Sequence, residues 1–445
     1  RPALKAIAPS FDPTDLYHTT HPGGVFSETF LRKWGGQTAA LNRGEPPCTG
    51  LCRWLVAGPK PVDADRDGAL LRKALAEHAR NYDVFACAGR APWRDSTVCA
   101  SGKTVTQVSE LSRQEAVQRS NIPLFVTAGW FDATLPAEVL QRFAGLSNPQ
   151  QVVIGAISHG GFMSTDPFAP PKAEVDPPYG RQIAAMADFF DRYLKSDNQA
   201  GPSSVRYEVL NGGGWRTSPA WPPRGVVPKR FYMGLGRSLS EKPPVQDGAD
   251  AYPVDFSAGS GPLSRYQSPV DLSQTAYPDR ATADRKLLTY TSAPQTEDLL
   301  VAGDPEADLT IASSAPDGMV IVYLEDVLLN GRVVYLTEGV LRLAARKTSP
   351  TPVGADRLHS YLSADAAPMT PGRAEQIRIA LSPIAFILRK GERLRLAIAG
   401  ADSDNLERIP AAGPEKIEVG RTVAAPSFID IPVLNVPASQ PTHDP

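Results

Sequence analysis

Two residue types that together move protons, a carboxylate and an imidazole, stand at the ends of two apolar runs in this chain. Asp132 closes Ile122-Pro-Leu-Phe-Val-Thr-Ala-Gly-Trp-Phe-Asp132, and His159 follows Gln151-Val-Val-Ile-Gly-Ala-Ile157 and Ser158. A histidine held by a carboxylate acts as a general base. It takes the proton of an attacking hydroxyl and returns it to the leaving group, while the carboxylate fixes the ring tautomer and stabilises the imidazolium. A single Asp or His is more often a turn cap or a partner for backbone groups. Two of them in order, each where a strand gives way to a loop, favour the catalytic reading.

The elements that must position the pair are legible from the same stretch. Both runs are near-continuously apolar, as strands covered on both faces of a parallel sheet require. Between them lies an amphipathic helix, with Thr134 at its cap, Pro136 in its first turn, and Leu135, Val139, Leu140 and Phe143 on one face. Acid and base are therefore expected at one edge of one sheet. The order acid then base is that of α/β-hydrolases, which place a nucleophilic serine earlier, on a G-x-S-x-G turn between strand and helix. Ser10, Ser27, Ser96, Ser101, Ser109, Ser112 and Ser120 all lack the flanking glycines of that frame. The expectation is that the nucleophile lies upstream of Arg1, on a segment that is cleaved, separately encoded or otherwise outside this sequence. A second polypeptide carrying it is an expected partner, because without it the strands around Ile122 and Val152 present an open hydrophobic edge.

Several motifs in one order resemble the cocaine esterase / X-Pro dipeptidyl-peptidase superfamily. Pro2-Ala-Leu-Lys-Ala-Ile-Ala-Pro9 is similar to the segment after that family's nucleophile turn. Ala128-Gly-Trp-Phe-Asp132 resembles its G-G-W-x-D around the acid, and Gly155-Ala-Ile-Ser-His159-Gly160 resembles G-P-W-x-H-G around the base, with Ala156 for Pro and Ile157 for Trp. Further similarity runs through Tyr207–Arg216, Tyr290–Asp298, Leu336–Arg342 and Arg389–Arg395. The resemblance implies an α/β plus β fold. Residues 1–20 and 118–200 would form the second half of an α/β-hydrolase core, 21–117 an inserted helical cap, and 201–445 a jelly-roll β-sandwich. Period-2 runs such as Ile377–Leu381 and Leu394–Ile398 agree with the last of these.

The implied activity is a serine hydrolase that cleaves an ester or amide through an acyl-enzyme, with Asp132 as acid and His159 as base. An X-Pro dipeptidyl peptidase and an α-amino acid ester hydrolase are the enzymatic alternatives, and a non-catalytic carbohydrate- or partner-binding protein is the alternative from another class. Family members that grip a substrate ammonium carry carboxylates just after the acid. Here those positions are Ala133, Thr134 and Leu135, which favours an uncharged acyl group, although Glu138 or an acid on the segment that carries the nucleophile could substitute. Trp130 is a candidate for the substrate pocket, with core packing the competing reading.

Composition sets further bounds. The 445 residues carry 46 basic and 48 acidic side chains in a mixed distribution, for a net charge of −2, so neither nucleic acid nor an anionic membrane is an expected partner. A homo-oligomer is left open by the sequence. Apolar stretches such as Gly318–Leu324 fall far short of the roughly 18 residues a membrane span needs. Cys48, Cys52, Cys87 and Cys99 point to one or two disulfides, pairing open, and to a periplasmic or secreted protein, with free thiols and a cytoplasmic location as the alternative. Their spacing suits zinc poorly. Asp63-x-Asp65-x-Asp67-Gly68 imitates a calcium loop, but Ala74 stands where the bidentate Glu belongs, so an acidic turn before a helix is expected, with no metal and no cofactor. His18, His21, His78 and His359 are read as structural.

Overall fold

The structure, a computed structural model, describes residues 3–47, 59–195, 201–271, 275–351 and 354–435. The chain enters along the first sheet: the backbone from Ile7 to Phe11 runs parallel to a later strand, and the Phe11 N–H donates to Thr127 O at 2.9 Å. A helical region follows, with α1 (Leu16–Thr20), α2 (Glu28–Asn42), α3 (Ala69–His78), α4 (Val84–Gly89), α5 (Val105–Val108) and α6 (Gln114–Ser120). Short helices cannot hold themselves together. These are pinned by the Cys87–Cys99 disulfide and by a fork of two 2.8 Å hydrogen bonds from Arg94 to Asp15, both residues buried. Cys48 and Cys52 lie outside the described residues.

The parallel unit comes next. Strand β1 (Leu124–Gly129) is buried along its whole length and pairs in register with β2 (Gln150–Gly155) through α7 (Leu135–Gly145). The outer edge of β1, expected to be open, is partly covered by Ile7–Phe11 of the same chain. After β2 the amphipathic α8 (Tyr179–Leu194) packs Phe189 against Phe125, at 5.5 Å between rings. The sheet then continues further than the pattern of the sequence suggested. Strands β3 (Ser204–Val209) and β4 (Gly214–Ser218), placed with the sandwich from sequence, are its third and fourth strands, β3 parallel to β2 and β4 antiparallel to β3. The alternating burial of β3 is that of a strand with one wet face, which is the same whether it lies in a mixed sheet or belongs to a sandwich.

From Val226 onward the chain is β-rich. One run of paired strands comprises β12 (Val333–Arg342), β11 (Met319–Val327), β15 (Arg393–Ala399) and β8 (Leu288–Ser292). The other contains β5 (Val226–Gly234), β17 (Phe428–Leu434), β10 (Glu306–Ser313), β16 (Lys416–Gly420) and β7 (Ala249–Pro253), with β13 (Glu375–Ala380) on β10 and β9 (Leu299–Gly303) bridging β17 to β14 (Ile384–Leu388). The three-residue β6 (Ser238–Ser240) pairs with β5 and β8 and links the two runs. Inward side chains such as Tyr290, Leu309, Val322, Phe386 and Ile398 are fully buried, and they belong to the same apolar cluster as Val126, Trp130 and Ile154 of the first sheet. The architecture is α/β plus β, and its two parts share one core.

Candidate active site

Strand β1 leads to Asp132 and β2 to His159, and a glycine lets the two meet. A Cβ on Gly129 would sit 2.0 Å from the Ile157 carbonyl oxygen, so only glycine permits the chain leaving β2 to pass this close to the end of β1. The Trp130 N–H then donates to Gly155 O at 2.8 Å, which fastens the two exits together. Beyond β2, the Glu208 carboxylate accepts from the Ala156 N–H at 2.7 Å, and burial foremost pushes that carboxyl up to about 7. The turn carrying the base closes with Ser158 N–H donating to Met163 O and Gly161 N–H to Ser158 O.

This framework brings His159 Nδ1 to 2.9 Å from Asp132 Oδ2. A carboxylate only accepts, so Nδ1 carries the hydrogen and Nε2 is left free to accept one. Asp132 is wholly buried, whereas the His159 side chain keeps 24% of its exposure and packs at 5.3 Å from the Phe11 ring. Burial acts to lower the imidazole pKa, and the hydrogen bond and charge of Asp132 outweigh it, so the net shift is upward. Among the described residues no side chain is hydrogen-bonded to Nε2. The pair is therefore oriented, partly accessible and open at the atom that would receive a proton.

A second Asp–His pair shows what a structural one looks like. His359 Nδ1 lies 3.2 Å from Asp356 Oδ2, and Tyr361 also donates to that carboxylate, but His359 is only 1% exposed and can meet no substrate. His21 is buried, stacked on Tyr17 at 5.1 Å and held far down, to about 3, by burial and the charge of Arg342. Burial likewise lowers His18, while His78 ends α3 in solvent. The acidic turn caps that helix: Asp65 accepts from the N–H groups of Leu70 and Leu71, each at 2.9 Å.

Two expectations change. Trp130 does not line a pocket: its ring is fully buried against Trp221 at 5.6 Å, and its Nε1–H donates to Glu208 O at 3.0 Å. An indole beside an acid in the sequence is turned into the core once the strand exit hooks over β2. Glu138 is not poised for a substrate ammonium either. It is buried and accepts from the N–H groups of Thr14 and Asp15 and the hydroxyls of Thr19 and Thr134, with burial first and the charge of Asp15 next raising it to about 7. Conversely, Phe11 beside His159, and Arg265 and Ser268 at the two turns, carried no local signal that would have singled them out.

A carboxylate and an imidazole, in that chain order, at adjacent strand ends of an α/β unit are the arrangement of the α/β-hydrolases, here fused to a β-sandwich. The family model for the X-Pro dipeptidyl-peptidase (S15 family) matches residues 1–161, and that for the X-Pro dipeptidyl-peptidase C-terminal non-catalytic domain matches 198–430. The chain is 33% identical over 463 residues to a Mycobacterium bovis protein named "Putative serine esterase", covering 97% of this chain and 73% of that one. It is 27% identical over 415 residues to the cocaine esterase of Rhodococcus sp., covering 85% and 69% respectively. Among solved structures, an α-amino acid ester hydrolase superposes with a TM-score of 0.70 at 19% identity, over 97% of this chain and 73% of that one. A CocE/NonD family hydrolase from Staphylococcus aureus gives 0.64 at 15%, over 97% and 68%. At such identities the two structures speak to the fold alone. The chain belongs to the cocaine esterase / X-Pro dipeptidyl-peptidase superfamily of serine hydrolases.

Proposed function

We propose that this protein hydrolyses an uncharged acyl ester or amide through an acyl-enzyme, with His159 as general base and then general acid and Asp132 as the residue that orients and stabilises it. The observation that carries the reading is the 2.9 Å contact of Nδ1 with a fully buried carboxylate, together with a partly exposed ring whose Nε2 is open. Loss of either partner removes a unit that acts as one. The reading assigns the attacking serine to a polypeptide segment outside the described residues, and it places the protein in the periplasm or outside the cell, a location the Cys87–Cys99 bond supports.

The absence of carboxylates at Ala133, Thr134 and Leu135, together with the full engagement of Glu138, favours a neutral acyl group over the α-amino substrates of a dipeptidyl peptidase. The test is labelling of the protein, with the N-terminal segment supplied covalently or in trans, by an active-site phosphonate, alongside assays of a p-nitrophenyl acyl ester and of Gly-Pro-p-nitroanilide. Labelling that is lost in His159→Ala, with turnover of the ester, is the expected result. Turnover of only the Gly-Pro substrate would replace the neutral-acyl reading with the peptidase one, and no labelling would favour a binding protein.

A further inference from the structure

The domain whose family name declares it non-catalytic reaches both members of the pair. Arg265 lies in the long connection after β7, and the residue is 1% exposed. Its Nε–H donates to Ala133 O at 2.7 Å and its Nη2 to Trp130 O at 3.1 Å, while its own carbonyl oxygen accepts from the Ala133 N–H at 3.0 Å. Those two carbonyls flank Asp132 on the chain. Three residues on, Ser268 Oγ accepts from the backbone N–H of His159 at 3.4 Å.

The turn that Arg265 grips would not hold its shape unaided. Ala133 sits at φ +44°, in the left-handed region that a residue with a Cβ adopts only at some expense in energy. Arg265 is itself held from behind: its guanidinium Nη1 donates to Tyr335 Oη at 3.2 Å, and its backbone N–H donates to Tyr277 Oη at 2.8 Å. Tyr335 in turn donates to Glu338 at 2.9 Å, and Phe131 packs on both tyrosine rings, at 5.9 and 6.3 Å. A fork with several donors in one plane suits the bridging of two carbonyls in a way a lysine ammonium does not.

We infer that Arg265 is a positioning residue for the acid: by bridging the carbonyls of Trp130 and Ala133 it fixes the turn that sets Asp132 Oδ2 on His159 Nδ1. The β-domain thus acts on the pair through the turn that carries the acid. This rests on the Asp132–His159 reading above, and the variants separate the two. The measurement is NMR titration of His159 in labelled protein, reading its pKa and the low-field Nδ1–H resonance, in wild type, Asp132→Asn and Arg265→Gln.

The expectation is that Asp132→Asn abolishes the low-field signal and lowers the His159 pKa by about 1–3 units. Folded Arg265→Gln should move both in the same direction, with kcat falling on the order of a hundredfold and KM little changed where turnover is assayed. If Asp132→Asn leaves His159 unaltered, the pair reading fails and the inference with it. If Asp132→Asn shifts His159 but folded Arg265→Gln keeps the wild-type pKa and resonance, Arg265 is merely structural and the inference is overturned. Should Arg265→Gln not fold, Tyr335→Phe, which removes a brace behind the guanidinium, decides: a downward shift supports the inference and an unchanged titration overturns it.

Discussion

Burial alone would depress the His159 imidazole, yet Asp132 outweighs it, and the sign of that balance sets a pH dependence. The base works when neutral, so kcat/KM should rise with pH through the His159 pKa, at a midpoint above the ordinary 6.5. In Asp132→Asn the counter-charge is gone and burial remains, so the midpoint of the residual activity should move below that of wild type. An unchanged or higher midpoint would contradict the assigned role. Glu138 gives a second prediction on the same scale. Its carboxyl is raised to about 7 in the folded protein, so between about 4.5 and 7 the folded state holds a proton that the unfolded chain has released. Its contribution to stability therefore falls as pH rises through that window. Glu138→Gln should remove this slope from the thermal midpoint while still pairing with both hydroxyls, whereas Glu138→Ala, which strands the donors of Thr14, Asp15, Thr19 and Thr134, should cost about 3 kcal/mol by denaturant unfolding.

Among elements, the meeting of β1 and β2 governs the site. Parallel register brings Gly129 opposite Gly155, and the two exits cross at the Ile157 carbonyl. Since the atom in the way is backbone, it cannot swing aside as a side chain would. Gly129→Ala should cost about 3 kcal/mol or more. In whatever fraction folds, it should also lengthen the Asp132–His159 contact. Unfolding midpoint and specific activity per folded molecule measure the two effects separately, and a variant with wild-type values for both would refute the account of this crossing. The same elements show what could be read early. The β1–α7–β2 unit announced itself through continuous apolar runs around an amphipathic helix, whereas β3 and β4 were assigned to the wrong sheet because alternation reports one wet face and not which partner covers the other.

For the molecule as a whole, the decisive feature is the shared core. Trp130 of the first sheet packs on Trp221, Trp221 on Tyr207, and Phe131 on Tyr335 of β12, so neither part has a complete interior without the other. Calorimetry should show a single cooperative transition, with Arg265→Gln lowering it as one peak; two resolved transitions would mean the parts are independent folding units. This coupling also accounts for the division between what the chain declares and what folding decides. By itself the sequence determined the fold class and the placing of Asp132 and His159, in that order, just beyond two strand ends, since hydrophobic period and motif spacing are local properties written along the chain. Only the tertiary structure decided that Trp130 turns inward, that Glu138 is fully engaged by a neighbouring turn, and that Arg265, 135 residues from Trp130, grips the turn of the acid. Contacts between residues so far apart depend on how the sheets stack, and no local pattern of side chains encodes that.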